Sequence, residues 1–329
     1  MRTILLILLL ALLSFSGYAQ TYNELVAQSF QYLEQNDTRK LKDVYPKLFA
    51  AYLKEMVPEY QQALTAAETG NKEQAFELLN KLVADSTLLR EIQTDKHLSA
   101  LRKDSRWKSL LQSINKIESG YNQPARQALL KIHANDQGIR LLVLEAHKKY
   151  GAESGEVKKV RSIMKRVDEE SAAQVQKILD RCGWLGSNEV GGFANQTYFL
   201  AIQHVDDVVV QQKYLPILRK AVKAGKAEPW HYAFLQDRTL MNQGKPQIYG
   251  TQKVTLSDDP KKRYIIPLQD PDHVDSLRAE VGLGPLKEDL EEAGMTWDVE
   301  EYKRRLPEIE KMYQERYQKQ QAEKAKMQQ

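Results

Sequence analysis

The sequence predicts a mainly α protein: tetratricopeptide-like helical hairpins followed by a helical domain with one β-hairpin. Three observations carry this. Gly 16 and Pro 11 in 329 residues leave long stretches without a breaker, and charged residues make up 28% of the chain. Apolar residues recur three and four apart through most of it, the helical spacing. One stretch near residue 250 departs, with β-rich runs flanking a turn-like SDDPKK.

Taken in order, residues 1–19 read as a secretory signal peptide. A single basic Arg2 precedes a short apolar run, and Gly17-Tyr18-Ala19 places small residues at the cleavage site. The run is too short to span a membrane, and no later segment is apolar enough to do so. The expected localisation is exported, periplasmic or extracellular. Cys182 is the lone cysteine, so an exported chain would depend on its core rather than on internal disulfides. A formal net charge of +4 is too balanced to favour nucleic acid as a partner.

Residues 20–120 read as hairpins. In YQQALTAAETGNKEQAFELLNKLVAD two periodic runs flank a break at Glu68-Thr69-Gly70-Asn71. Ala63 and Ala75 are small enough to let two antiparallel helices approach closely. This pattern resembles a degenerate tetratricopeptide repeat, which implies a protein partner docked on these hairpins; a plain helical bundle is the alternative.

Residues 121–290 read as a second unit, with helices near 123–150, 156–182, 190–204, 207–224 and 229–243. QIYGTQ then reads as the first strand of a β-hairpin near 247–268. It would place Gln252 on an apolar row with Ile248 and Val254. Residues 291–329 read as a charged helical tail without an apolar stripe.

Several polar residues fall on helix faces that should be apolar. Asp136 has Leu129, Ile132, Ile139 and Val143 as neighbours, and Arg140 follows it by one turn. Gln137 shares a stripe with Leu130, Leu141 and Leu144. His204 lies with Phe193, Thr197, Leu200 and Ala201, and Asp237 with Ala233, Phe234, Leu240 and Met241. A buried charge needs a partner, and Arg140, Arg238 and His204 are the candidates for Asp237. Violations of patterning collect at functional sites, so these groups are expected to converge, with Gln252 among them.

The ordered set DQxxR, GW, VG, QH, DR, QxYGTQ and VDxxRxxVGLxPL resembles an uncharacterised bacterial domain family of unknown function, over residues 123–290. The last block is carried by Val274, Asp275, Arg278, Val281, Gly282, Leu283, Pro285 and Leu286. Leu185 departs from the family, which often has Pro after GW. The resemblance implies no activity.

Two functions stay open on the residues alone. One is a hydrolase or lyase of a cell-envelope or extracellular polar substrate. Asp136, His204 and Asp237 would be catalytic, and Gln137, Arg140, Arg238, Tyr249, Thr251 and Gln252 would bind ligand. The other is a non-catalytic module that binds a polar or anionic small molecule or a glycan; a purely structural polar network is the third alternative. No nucleophile elbow, phosphate loop or zinc signature is present, no cofactor is expected, and two arginines beside the acids argue against a metal.

Overall fold

The computed structural model describes residues 21–86, 88–254 and 263–327. The expected signal peptide lies outside them, as does the SDDPKK turn. The chain divides into two compact units, one up to Gly120 and one from Tyr121. The protein is mainly α, with a two-stranded sheet as the sheet among the described residues. No helix among the described residues is long and apolar enough to cross a membrane.

In the first unit, helices α1 (Tyr22–Glu34), α2 (Thr38–Met56), α3 (Pro58–Glu68), α4 (Lys72–Ala84), α5 (Leu89–Thr94) and α6 (Ser105–Ser119) succeed one another, with a 3₁₀ helix at Lys96–Leu101 before α6. Each start has a local cause. Thr21 and Glu24 close a capping box on α1, Pro58 opens α3, and Asn71 accepts the Gln74 amide at the head of α4. Gly70, with φ +80°, makes the break between α3 and α4. Those two helices pack against each other, and Ala63 and Ala75 are both fully buried between Tyr60, Leu79 and Leu98. Asp95 is buried here too, held by the Tyr60 hydroxyl at 2.9 Å and Lys54 Nζ at 2.8 Å.

The second unit is framed by two long helices, α7 (Gln123–Tyr150) and α8 (Gly155–Cys182), which pack against each other. Short α9 (Ser187–Val190) leads into α10 (Gly192–His204), which packs on both. Helices α11 (Val208–Lys223) and α12 (Pro229–Asn242) pair and close the bundle. Its core runs through Leu129, Ile132, Val175, Tyr198, Phe199, Ile202, Tyr214, Leu218 and Leu235.

Strands β1 (Lys253–Val254) and β2 (Tyr264–Ile265) pair antiparallel, Lys253 opposite Ile265 and Val254 opposite Tyr264. The segment QIYGTQ is not a strand. Apart from a parallel bridge of Gln247 to Leu268 it is irregular, and Gly250 takes φ +69°. That conformation breaks an extended run, and a Cβ there would meet Leu286 at 3.1 Å and Ile265 at 3.3 Å. Gln252 therefore has no place on an apolar strand row.

The chain closes with α13 (Val274–Glu280), α14 (Leu286–Glu292) and α15 (Val299–Met327). The expectation of a solvated tail from 291 needs correction. Helix α15 buries Tyr302, Ile309 and Tyr313 in one cluster with Tyr264, Ile265, Leu268, Leu286 and Leu290. The Leu268 amide donates to the Tyr302 hydroxyl at 2.7 Å, and the Tyr313 hydroxyl donates to the Met241 carbonyl at 2.8 Å. The stripe escapes a reading of the sequence because it is sparse, and two of its three members are tyrosines among charged residues.

A fragment of residues 121–290 is therefore expected to be much less stable than one of residues 121–329. It loses three buried side chains, worth together roughly 5–9 kcal/mol as an upper bound. Urea denaturation followed by circular dichroism compares the two; equal midpoints would show that α15 only rests on the surface.

Candidate functional site

On α7, Asp136 and Arg140 are one turn apart and face α8 and α10. Asp136 is buried, and each of its oxygens is engaged. Oδ1 accepts from His204 Nδ1 at 2.9 Å and lies 3.1 Å from Arg140 Nη1, while Oδ2 accepts from Gln137 Nε2 at 2.7 Å. The Arg140 guanidinium then reaches across to α8, donating through Nη2 to Asp168 Oδ1 at 2.8 Å. Nη1 also donates to the Asp136 carbonyl at 2.9 Å. Arg140 thus bridges two carboxylates on neighbouring helices, with its own side chain 24% exposed.

The electrostatics follow from this geometry. Burial works to raise the Asp136 carboxyl, but the pull of the His204 ring, the Arg140 charge and the hydrogen bonds from His204 and Gln137 outweigh it. They hold Asp136 well below the usual carboxylate range. Burial lowers His204 against the pull of Asp136, with Arg140 and Arg238 adding to the lowering. A neutral ring beside an ionised carboxylate must donate through Nδ1, so the lone pair sits on Nε2. His204 Nε2 has no hydrogen bond among the described residues, and the side chain is 17% exposed. Asp168 moves the other way: burial pushes it up to about 6, opposed by Arg140 and reinforced by Asp136. Burial also takes His133 down to about 4; it sits beside the Thr197 hydroxyl at 3.3 Å and the Phe193 ring at 5.2 Å.

Asp237 was expected to meet Arg140, Arg238 or His204. It meets none of them. Its carboxylate is the floor of the QIYGTQ loop: the amides of Ile248, Tyr249 and Thr251 and the Thr251 hydroxyl all donate to it at 2.8–3.1 Å. Gln252 Nε2 donates to that same Thr251 hydroxyl at 2.9 Å. The side-chain amide of Gln247 staples the loop ends, accepting from the Gln252 amide and donating to the carbonyls of Gln252 and Ile266. Arg278 Nη1 holds the Tyr249 carbonyl at 3.0 Å. The physical reason for the correction is that backbone amides turned away from a sheet ladder need an acceptor, and a buried carboxylate supplies it. Burial still pushes Asp237 up against these donors.

The nine expected site residues thus separate. Asp136, Gln137, Arg140 and His204 form one hydrogen-bonded set. Asp237, Tyr249, Thr251 and Gln252 form another, with no hydrogen bond joining the two among the described residues. Arg238 follows Asp237 on α12, about 100° round the helix, and turns to the first set. It lies within electrostatic reach of Asp168, Asp206, Arg140 and Arg316.

Asp168 was missed. Its signal was present: it lies four residues after Met164 and four before Ala172, on the buried stripe of α8 with Val160, Ser171 and Val175. It is hidden in the charged run KRVDEES. Asp136, Asp168 and His204 bring one ligand atom each to within 4.8 Å of one another, a set of donors that could hold a divalent cation. Arg140, bonded to both carboxylates, already supplies positive charge there.

Residues 124–297 match the model of a family of unknown function, DUF6624, which covers more than half of the chain; the chain belongs to that family. Both residue sets lie inside the matched stretch. Comparisons with curated proteins and with solved structures give no match.

Two outcomes are expected from these environments. Folded Asp168, raised to about 6 from an ordinary 3.8, favours the fold when protonated and costs stability as pH rises through that window. His133, His204 and His231, the last a buried ring on α12 that burial takes down to about 4, all have lowered values and act with the opposite sign, so the observable is a difference. Asp168→Asn should gain on wild type between pH 4 and 6 by up to about 3 kcal/mol and then level off. Denaturant titrations across that range check it; a pH-independent difference would refute the raised value. Asp237→Asn should lower stability by roughly 2–4 kcal/mol, because an amide group replaces an acceptor oxygen facing the loop amides. A melting temperature equal to wild type would show that the loop does not depend on the carboxylate.

Proposed function

We propose that this chain is an exported hydrolase or lyase of a polar cell-envelope or extracellular substrate, with His204 as general base. The observation that carries the reading is the Asp136–His204 pair: Asp136 Oδ1 accepts a hydrogen bond from His204 Nδ1 at 2.9 Å, which leaves Nε2 unengaged on a part-exposed ring. In this role Asp136 orients the ring and stabilises the imidazolium formed when Nε2 takes a proton from water or a substrate hydroxyl. Asp168, raised to about 6, is suited to return a proton to the leaving group. It takes the place first given to Asp237, whose carboxylate is occupied by the loop. Gln137 and Arg140 are positioning residues in this scheme.

A non-catalytic binding module is a second reading, favoured by the Arg140 bridge, which ties up both carboxylates as a rigid network would. Export through residues 1–19 and docking of a protein partner on the tetratricopeptide-like α3–α4 pair belong to the same proposal. The burial of Ala63 and Ala75 supports the close helical pair on which such docking would rely.

His204→Gln should stay folded and lose turnover by roughly 10²–10⁴-fold against whichever member of a panel of glycosides, esters and amides the wild type cleaves. Nitrogen-15 NMR of the imidazole should give the Nδ1–H tautomer with an apparent pKa below 6.5. An Nε2–H tautomer, or undiminished turnover in the variant, would remove His204 from the chemistry.

A further inference from the structure

A groove of about 1110 Å³ lies in the second unit, walled by α8, the 205–209 segment, the end of α12 and the later turns of α15. None of Asp136, Asp168 and His204 lines it. A drug-sized ligand fills roughly 300–1,000 Å³, so this groove has room for a short chain of linked units. Its charges cancel, with three lysines and three acids in the lining. Asp206 is bound to Lys324 Nζ at 2.8 Å, and Asp207 is occupied by the amides of Val209 and Val210 at the head of α11. The lining therefore has no net charge with which to draw an ionic ligand. What is left for binding is neutral: the side-chain amides of Gln212, Asn242, Gln243 and Gln321, the Tyr317 ring, and Val209, which is 70% exposed.

Two of these groups are held from beneath. Asn242 Nδ2 donates to Gln211 Oε1 at 3.0 Å, and Gln211, fully buried, donates through Nε2 to the Val205 carbonyl at 2.9 Å. That relay fixes the Asn242 amide by its donor, and Asn242 Oδ1 makes no hydrogen bond among the described residues. Tyr317 is seated on Gly244: a Cβ there would come within 2.9 Å of the ring, so a larger residue would displace it. Gln314, one turn before Tyr317, donates through Nε2 to the Gly244 carbonyl at 3.2 Å and ties that part of α15 to the end of α12. A fixed acceptor and a fixed ring, in a wall of unspent amides, are the parts of a site for hydroxyl groups. A side-chain amide both donates and accepts, as a sugar hydroxyl does, and a tyrosine ring and a valine give the C–H face of a sugar an apolar seat. We infer that this groove binds a neutral glycan of a few sugar units, with Asn242 and Tyr317 as its fixed contacts. The site goes beyond the general-base reading of His204 and does not depend on it.

The experiment uses the full chain and titration calorimetry, with maltotriose, cellotriose and triacetylchitotriose as probes and trialanine and sodium tripolyphosphate as controls. At least one trisaccharide should bind at millimolar concentration or below, and neither control should. Tyr317→Ala and Asn242→Ala should each weaken that trisaccharide roughly tenfold, the weight of one stacked ring or one fixed hydrogen bond. Gln212 and Gln321 are both exposed, so the double variant Gln212→Ala, Gln321→Ala keeps the fold. It should bind roughly 5–100-fold more weakly for two lost hydrogen bonds. No binding of any of the trisaccharides, or wild-type affinity in the double variant, would overturn the site. Binding of trialanine or tripolyphosphate that the double variant loses would make the groove a peptide or anion site and overturn the glycan. The groove and the dyad fail separately. His204→Gln should bind the trisaccharide as wild type does; a loss of binding in that variant would move the glycan to the Asp136–His204 pair and overturn the groove. An Nε2–H tautomer at His204 removes the dyad and leaves the groove standing.

Discussion

The second unit depends on one guanidinium. Among the described residues, Arg140 is the side chain that bridges Asp136 on α7 and Asp168 on α8, with contacts of 3.1 and 2.8 Å. Two carboxylates facing across a helix interface without it would repel and lose hydration together, a penalty of several kcal/mol per ion. With it, the pair becomes a fixed frame on which α10 hangs His204. The bridge also divides the acids electrostatically. Asp136 receives three donor side chains and stays ionised, while Asp168 receives one and is pushed up to about 6. Two carboxylates a few ångströms apart thus shift in opposite directions because their surroundings differ.

The Asp237 loop solves another problem. A loop with amides pointing inward and a glycine in the left-handed region needs an acceptor below it. Asp237 provides that on one side and Gln247 on the other, and Arg278 closes the Tyr249 carbonyl from outside. Many of the residues that make up the QxYGTQ and VDxxR blocks are accounted for by this construction alone. Asp275 caps the Leu286 amide at 2.7 Å, and Leu286 packs under Gly250. Since Asp237 and Arg238 are consecutive on α12, the same turn of helix fixes the loop and carries an arginine within electrostatic reach of Arg140 and Asp168. No hydrogen bond joins the loop set to the Asp136 set among the described residues.

Much of the fold was legible because it is local. Helix limits near 123–150, 156–182, 190–204, 207–224 and 229–243 follow from apolar spacing; the observed helices agree to within two residues at each end, and the structure shows Asn122 and Ser154 as caps and Pro229 at a first turn. Asp136, Arg140 and His204 were legible for the same reason: a polar residue on an apolar stripe needs a partner, and only a few are in reach. Helix α15 and Asp168 were not, because a tyrosine stripe in a charged helix, or an acid within a charged run, looks solvated until another element covers it.

What the sequence determined by itself is therefore the helical class, the limits of most helices, and which polar groups must be buried. What only the tertiary structure decided is which of them meet. Asp237 needed donors, and both a guanidinium and a row of amides would serve. Periodicity assigns a side chain to a face but not the face to a neighbour. QIYGTQ reads as a strand by composition, yet its hydrogen-bonding groups were claimed by a carboxylate on a helix packed beneath it. That choice depends on contacts between elements distant in the chain, and no local pattern encodes it.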